Sequence, residues 1–361
     1  MKKNIYINGR FLTQNVTGVQ RVAEQIVKEL DITLNKSNIF SQYKIIILVP
    51  NCECRDVVFK NIEIRSIGIL KGHLWEQIEL PLFVKKELLI NLCNTGPMIK
   101  KNQLVMIHDA AICSAPEGFS KKFVLWYKLL YKQFSRNSRK IVTVSNFSKE
   151  ELLRYYPKMD NKLGVIYNGV DHVVDINPDE KILSKNDLEA DDYILAVSSM
   201  NPNKNFRVIG EALAKSKRFS GKVVIAGGNQ TGIFADGASS VGHNIKWVGY
   251  VTDEELVALY KNARIFIFPS LYEGFGLPPL EAMRMGCVVI ASNAASIPEI
   301  CKEHAIYFDP NSPEDLLNKI ESVYENKILR VNRASKALEF SKEYRWSLAA
   351  RILINYIKEL A

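Results

Sequence analysis

The sequence has few cysteines and no long apolar run. Its 361 residues hold six cysteines, with no CxxC pair and no Cys/His group at zinc spacing, which excludes a disulfide scaffold and a zinc-ribbon type of domain. Such scattered usage is typical of a reducing compartment. No apolar stretch approaches the roughly 18 residues that span a membrane, and no apolar segment follows the N-terminal lysines as in a signal peptide. We therefore expect a cytoplasmic protein without a membrane span.

Other signatures are also missing. No GxGxxG follows an early strand, so a dinucleotide-dependent dehydrogenase is not indicated. No DxD pair lies near a strand end, since Asp191 and Asp192 are adjacent. There is no internal repeat, and a composition of 47% hydrophobic and 24% charged residues excludes a disordered or collagen-like chain. The length predicts two domains, at roughly 100–200 residues each.

The positive charge is confined to the first half of the chain. The formal net charge is +9, but residues 1–170 hold 26 Lys and Arg against 14 Asp and Glu, whereas residues 171–361 hold 22 against 25. This asymmetry indicates an anionic partner for the first half, either a nucleic acid or an anionic membrane face. Solvated lysines on an ordinary protein surface are the alternative interpretation.

Strand-like and helix-like stretches alternate along the chain, which predicts α/β domains with parallel sheets. The predicted strands are Asn4–Asn8, Lys44–Pro50, Leu104–His108, Lys140–Ser145, Tyr193–Ser198, Lys222–Ala226, Ile245–Val248, Arg264–Pro269 and Val288–Ala291. The predicted helices include Gly18–Leu30, Ser148–Tyr155, Phe206–Lys215, Asp253–Lys261, Leu280–Met285 and Tyr344–Leu360. The polar, acidic stretch 171–192 is interpreted as a linker between two such halves. Ligands of parallel sheets bind beyond the carboxyl ends of the strands, so functional motifs are expected there.

The most informative motif is FPSLYEGFGLPPLE, residues 268–281. A predicted strand ends at Pro269, a glycine-containing turn follows, and a helix is expected to begin near Pro278. Gly274 and Gly276 permit close approach of the backbone to a ligand, and the amides of the turn with the helix dipole form an anion site. Two glutamates, at 273 and 281, flank this turn. A capped loop with surface acids is the alternative.

This motif resembles the signature of the retaining nucleotide-sugar glycosyltransferases of family 4, which have the GT-B fold. In that family two glutamates are separated by seven residues, as Glu273 and Glu281 are, and the following stretch 282–300 is also similar. The resemblance implies two Rossmann-like parallel-sheet domains facing a cleft. Residues 1–172 would form the acceptor-side domain, residues 173–343 the nucleotide-sugar domain, and residues 344–361 a helix that packs back on the first.

The resemblance also implies roles for residues of the motif. Glu273 would contact the hydroxyls of the donor sugar as a catalytic residue, and Glu281 would hold the ribose hydroxyls. The backbone around Gly274, Phe275, Gly276 and Leu277 would hold the sugar and the diphosphate.

Lys204 is the expected diphosphate ligand from a second motif, SSMNPNKN at residues 198–205. Members of the family often carry an Arg-Lys pair here, but this chain has Asn203, a further donor-binding candidate, before Lys204. This chain therefore has fewer positive side chains for the diphosphate than is usual in the family. Arg207 or a residue of the first domain is expected to supply the missing positive charge. Taken without this context, a lysine at a helix start is a surface residue.

Three weaker candidates follow from the same resemblance. His108, before Asp109 at a strand end, would reach the donor sugar, although a lone histidine is more often structural. Gly18 opens the first long helix and would let the loop approach the diphosphate or acceptor, with Thr17 as an ordinary N-cap. The backbone at Tyr250 and Val251 would read the nucleobase, or form a plain strand-to-helix loop.

Residues 119–140 carry seven Lys or Arg and no acid, with aromatic and apolar side chains at helical spacing. Such a basic amphipathic helix is typical of membrane-surface contact. A core-facing helix with a solvated basic face fits equally well, and use of this region by relatives tips the expectation toward membrane contact.

The expected activity is therefore a metal-independent transfer of a hexose with retention, in which Lys204 and loop amides stabilise the leaving diphosphate. No cofactor is expected. Residues 268–283 resemble members of the family that use GDP-mannose, which favours mannose as the transferred sugar. Transfer of rhamnose, glucose or N-acetylhexosamine is the open alternative. The acceptor would be a lipid-linked glycan of an O-antigen, lipopolysaccharide or capsule pathway, reached from the inner face of the plasma membrane. An epimerase or a phosphorylase of the same fold is the alternative. A nucleic-acid binder is a distant one, because no recognition motif for nucleic acid is found.

Overall fold

The computed structural model describes residues 3–361 except 37–41, 198, 200, 217–220 and 229–244. The chain divides into two compact units: unit 1 comprises Met1–Gly169 and Arg345–Ala361, and unit 2 comprises Val170–Tyr344. Each unit holds one parallel sheet with helices around it, so the predicted pair of Rossmann-like domains is confirmed. Residues 170–172, which the sequence assigned to the first domain, lie in unit 2.

Within the described residues, the sheet of unit 1 has seven strands. These are β1 (Lys3–Asn8), β2 (Tyr43–Pro50), β3 (Glu63–Ile67), β4 (Leu88–Asn91), β5 (Gln103–Met106), β6 (Lys140–Thr143) and β7 (Leu163–Val165). Their order is β3-β2-β1-β4-β5-β6-β7, and every neighbouring pair is parallel. The run from Ile45 to Val49 is at most 3% exposed, because helices cover both faces of a parallel sheet and favour continuous β-branched residues.

The described part of unit 2 has a six-stranded sheet. Its strands are β8 (Tyr193–Val197), β9 (Lys222–Ala226), β10 (Ile245–Gly249), β11 (Ile265–Phe268), β12 (Val289–Ser292) and β13 (Ile306–Phe308). The order is β10-β9-β8-β11-β12-β13, again all parallel. The strand order reverses direction between β1 and β4 in unit 1 and between β8 and β11 in unit 2. The connections diverge at such switch points and leave a crevice at the carboxyl ends of the strands.

The helices lie between these strands. They are α1 (Gly18–Lys36), α2 (Gly72–Leu74), α3 (Leu80–Val84), α4 (Ala111–Ser114), α5 (Lys121–Asn137), α6 (Asn146–Tyr155), α7 (Lys181–Lys185), α8 (Arg207–Lys215), α9 (Asp253–Asn262), α10 (Leu277–Arg284), α11 (Ile297–Cys301), α12 (Pro313–Tyr324), α13 (Lys327–Ser341) and α14 (Trp346–Leu360). A π-helical turn, Trp75–Glu79, joins α2 to α3. No helix of the described residues is long and apolar enough to cross a membrane.

The C-terminal helix belongs to unit 1, as the sequence predicted. Helix α14 packs against α1 and buries an apolar face that includes Trp346 and Leu353. A Cβ on Gly169 would lie 2.2 Å from the backbone nitrogen of Trp346, so a glycine is required where the chain passes the start of this helix. The contact is thus built into the backbone of both segments.

Two expectations about organisation need correction. Strands β3, β4, β7 and β13 were not among the predicted strands; they are three to five residues long and give too short a periodicity. The stretch 171–192 is not a loose linker but part of unit 2, where it contains α7. Its apolar residues Val173, Ile182 and Leu188 are buried, and isolated apolar residues carry no period that a sequence reveals. Ser198, predicted as the end of β8, lies outside the described residues.

Candidate functional site

The switch point of unit 2 brings the two principal motifs together. Lys204 follows β8 and Glu273 follows β11, and Lys204 Nζ lies 2.6 Å from Glu273 Oε1. Both side chains are mostly buried, at 21% and 14% exposure. The loops are also tied through their backbones, because Leu271 N donates to Asn203 O at 2.7 Å. The ammonium and the carboxylate therefore face the same point from two loops.

The backbone of the Glu273 loop is held from behind. Ser296 Oγ donates to Glu273 O at 3.0 Å, and Ser292 Oγ donates to Ser270 O at 2.5 Å. Gly276 has φ +89° and caps α10, which begins at Leu277, so a side chain there would be strained. The expected helix start near Pro278 is thus one residue late. The turn leads directly into the N-terminus of α10, an arrangement that favours anions.

Glu281 is buried on the first turns of α10, with 6% of its surface exposed. Tyr260 Oη donates to its Oε2 at 3.2 Å, and His172 Nε2 lies 3.4 Å from its Oε1. Sequence reasoning missed both partners, because neither lies in a motif.

The remaining candidates of unit 2 lie on loops at the same edge of the sheet. Asn203 N donates to Asn201 Oδ1 at 3.0 Å. Tyr250 is 80% exposed and Val251 is half-buried, between the end of β10 and α9. Arg207, considered for the diphosphate, is instead exposed on α8 and paired with Glu211 at 3.1 Å.

His108 is enclosed in unit 1, just beyond the carboxyl end of β5. It is 6% exposed, and its Nε2 donates to Leu92 O at 2.8 Å. Burial lowers the pKa of this imidazole to about 4, so the ring is neutral at pH 7. The predicted contact with the donor sugar would have to be made by Nδ1 acting as an acceptor.

The buried His108 predicts a specific dependence of stability on pH. Its pKa falls from 6.5 to about 4 on folding, so between these values the unfolded chain binds more protons and stability declines as the pH falls. The contribution approaches ~3 kcal/mol at pH 4. His108→Gln keeps an amide donor for Leu92 O but cannot titrate. In urea unfolding at pH 7 and pH 4.5, the free energy of unfolding of this variant should therefore fall less with pH than that of the wild type. An unchanged pH dependence in the variant would contradict the buried neutral imidazole.

Gly18 is the first residue of α1, as predicted. A Cβ built on it meets nothing within 4 Å, so the packing of the described residues does not itself require a glycine there. Before it, Thr17 N donates to Gln20 Oε1 at 3.3 Å, so the Gln20 side chain caps the backbone amide that precedes the helix.

Family models match most of the chain. The one described as "Glycosyl transferases group 1" matches residues 178–340, within unit 2, and the one described as "Glycosyltransferase Family 4" matches residues 102–173.

Individual proteins agree with these matches. The O-antigen chain mannosyltransferase B of Escherichia coli is 30% identical over 268 residues, which is 70% of this chain and 69% of that protein. The O-antigen chain mannosyltransferase RfbU of Salmonella typhimurium is 27% identical over 67% of this chain and 66% of its own length. Among solved structures, Anabaena Alr3699/HepE in complex with UDP and glucose superposes with a TM-score of 0.73 at 16% identity, covering 99% of this chain and 100% of that one.

Proposed function

This chain belongs to glycosyltransferase family 4 and is a glycosyltransferase, and from that premise we propose that it transfers mannose from GDP-mannose to a lipid-linked glycan. The product would be part of a surface polysaccharide such as an O-antigen or capsule. The names of the E. coli and Salmonella relatives support the sugar and the pathway. Because the complex of the Anabaena protein contains UDP and glucose, UDP-sugars remain in the donor test.

The observation that carries the proposal is the pair formed by Lys204 and Glu273 at 2.6 Å. A nucleotide-sugar brings a diphosphate and a neutral, hydroxyl-rich sugar to the same place. Lys204 and the amides of residues 274–277 suit the diphosphate, and the Glu273 carboxylate suits the sugar hydroxyls. In the free enzyme the ammonium and the carboxylate lie against each other in a largely buried site.

The proposed chemistry retains the anomeric configuration. The bond from the anomeric carbon to the diphosphate oxygen breaks, and the acceptor oxygen bonds to the same face of that carbon. The acceptor proton passes to the departing diphosphate oxygen, so charge and atoms balance. Lys204 and the turn amides stabilise the negative charge that develops on this leaving group, and the proposed reaction uses no metal ion. Glu281, held by Tyr260 and His172, is assigned to the ribose rather than to a covalent intermediate.

We also propose contact between unit 1 and an anionic membrane surface, which places the enzyme at the inner face of the plasma membrane. On α5, Leu130 and Phe134 are fully buried in the core of unit 1. The outward face is basic and apolar: Lys121, Leu125, Lys128, Leu129, Lys132 and Arg136. Leu125 is 72% exposed. Flotation with phosphatidylglycerol vesicles, lost in a Lys128→Glu/Lys132→Glu variant, is the expected result; equal binding to phosphatidylcholine would contradict it.

The function is tested with a donor panel. Purified protein is incubated with GDP-mannose, UDP-glucose, UDP-N-acetylglucosamine and dTDP-rhamnose, each with octyl α-D-mannopyranoside as a synthetic acceptor, and products are identified by mass spectrometry. We expect a single mannosylated product from GDP-mannose. A product from another donor would show that the sugar is not mannose. Conversion of a donor to its epimer without acceptor would show that the protein is an epimerase and not a transferase.

A further inference from the structure

The switch point of unit 1 holds a buried charged cluster that the proposed chemistry does not use. Strands β1 and β4 are neighbours and end at Asn8 and Asn91. Beside these ends the carboxylate of Glu76 is completely buried, at 0% exposure. Its Oε1 accepts hydrogen bonds from Asn8 Nδ2 at 2.8 Å, Arg10 Nε at 3.2 Å and Thr95 Oγ1 at 2.8 Å. A buried ion pair at this edge of a sheet is an expensive arrangement for stability alone.

The second oxygen of Glu76 holds a histidine that reaches the surface. His73 Nδ1 lies 3.2 Å from Glu76 Oε2, and the imidazole is 40% exposed. Burial raises the pKa of Glu76, but the hydrogen bond from His73 and the charge of Arg10 outweigh it, so the pKa is lowered and the carboxylate is ionised. A fixed anion on Nδ1 turns Nε2 away from the cluster, and in the described part of the chain Nε2 makes no hydrogen bond. Glu76 itself lies in the π-helical turn, a feature often found at functional sites.

An aromatic side chain of α5 adjoins this histidine. The ring of Trp126 packs edge-on against His73, with centroids 5.5 Å apart, and its indole Nε1 is buried with no hydrogen-bond acceptor in the described residues. On the same helix Tyr127 stacks on Phe123 at 4.1 Å, and the Phe123 ring is 38% exposed. Phe123 and Trp126 are three positions apart on α5, so their side chains are neighbours on the surface of this helix.

A sugar ring has hydroxyls at its rim and apolar C–H groups on its faces. Sites for such ligands combine aromatic surface with a few well-oriented polar groups. We propose that the His73 imidazole and the adjoining aromatic side chains bind the acceptor sugar of this glycosyltransferase, with Glu76 as the positioning residue. Nε2 of His73 hydrogen-bonds to an acceptor hydroxyl, and Phe123 packs against the ring. This inference rests on the proposed function, because it assigns the acceptor of the same reaction.

The experiment compares steady-state kinetics of the full chain and its variants, with saturating GDP-mannose and octyl α-D-mannopyranoside as the acceptor. His73→Ala is expected to raise KM for the acceptor about tenfold, the value of one hydrogen bond of ~1.4 kcal/mol, while kcat changes less than threefold. Phe123→Ala should raise the same KM, and Phe123→Tyr should restore it. Glu76→Gln, which removes the anion but keeps the shape, should act like a partial His73→Ala. The affinity for GDP, measured by calorimetry, should be unchanged in all of them.

His304 provides a matched control, since it also lies beside a glutamate, Glu303 at 3.5 Å, and against an aromatic ring, Phe340 at 4.2 Å. His304→Gln should leave KM for the acceptor unaltered. If the wild type transfers sugar and His73→Ala keeps the wild-type KM, the subsite is wrong and the proposed function stands. If no donor of the panel yields transfer, the function fails, and saturation-transfer NMR of octyl mannoside then decides the subsite. Signal lost in His73→Ala supports it, and signal retained overturns it.

Discussion

Replacing Glu273 with alanine is expected to lower kcat for glycosyl transfer by about 10²–10³, the usual effect of removing one preorganised electrostatic contact from a transition state. The carboxylate faces Lys204 at 2.6 Å and is only 14% exposed, so water does not readily take its place. Its hydrogen bonds to the sugar strengthen as the anomeric carbon becomes electron-poor, and interactions of that kind raise kcat rather than affinity. The measurement is initial-rate mass spectrometry at saturating donor and acceptor.

The same variant should bind GDP at least as well as the wild type does. Without Glu273 the ammonium of Lys204 has lost its internal partner and is free for the diphosphate. Lys204→Met, in contrast, should weaken GDP binding, because it removes the cation and leaves the carboxylate facing the phosphates. Glu339→Ala is a matched control, because it breaks another Lys–Glu pair, in which Lys342 is 49% exposed and Glu339 is 73% exposed. Transfer at more than a tenth of the wild-type rate in Glu273→Ala would remove this residue from the reaction centre.

Glu281→Ala is expected to raise the Kd for GDP about 10- to 100-fold, since hydrogen bonds to a charged group contribute roughly 1.5–3 kcal/mol each. Because truncation also leaves Tyr260 and His172 without their carboxylate partner, stability falls too, and GDP affinity alone does not identify the contact. The decisive comparison is GDP against 2′-deoxy-GDP in calorimetry. The wild type should prefer GDP, and Glu281→Ala should bind the two equally.

Two further variants isolate the carboxylate. Glu281→Gln keeps the shape of the side chain and one acceptor oxygen, so it should retain part of the preference for GDP. Tyr260→Phe removes the hydroxyl that donates to Oε2 at 3.2 Å without touching the ribose, and should leave the preference intact. A preference for GDP that survives in Glu281→Ala would mean that the ribose hydroxyls are bound elsewhere.

The chain order of the elements was largely readable from the sequence. Buried stretches of parallel strand, such as residues 45–50 of β2 and the whole of β11, appear as unbroken apolar runs, and the start of α9 is marked by a capping box. The shortest strands were not predicted. β7 and β13 have three residues each, which is too few to show the alternation of side chains between the two faces of a sheet. The buried residues of 171–192 escaped for the same reason, since single apolar side chains in a polar stretch have no period.

The sequence by itself determined the family and the local half of the site. The Glu273–Glu281 spacing, the glycine turn and the start of the following helix are contained in fourteen consecutive residues, and such local geometry follows from backbone preferences within the segment. It also gave the position of the excess positive charge in unit 1.

Only the tertiary structure decided which charges face one another. Lys204 meets Glu273 across 69 positions, because β8 lies beside β11 in the sheet. Arg10 meets Glu76 across 66 positions, because the π-helical turn that contains Glu76 lies against the end of β1. It also decided that His108 is enclosed and neutral, and that His73 is held toward the surface. These are consequences of strand order and burial. They depend on which distant segments pair, and no periodicity along the chain records that choice.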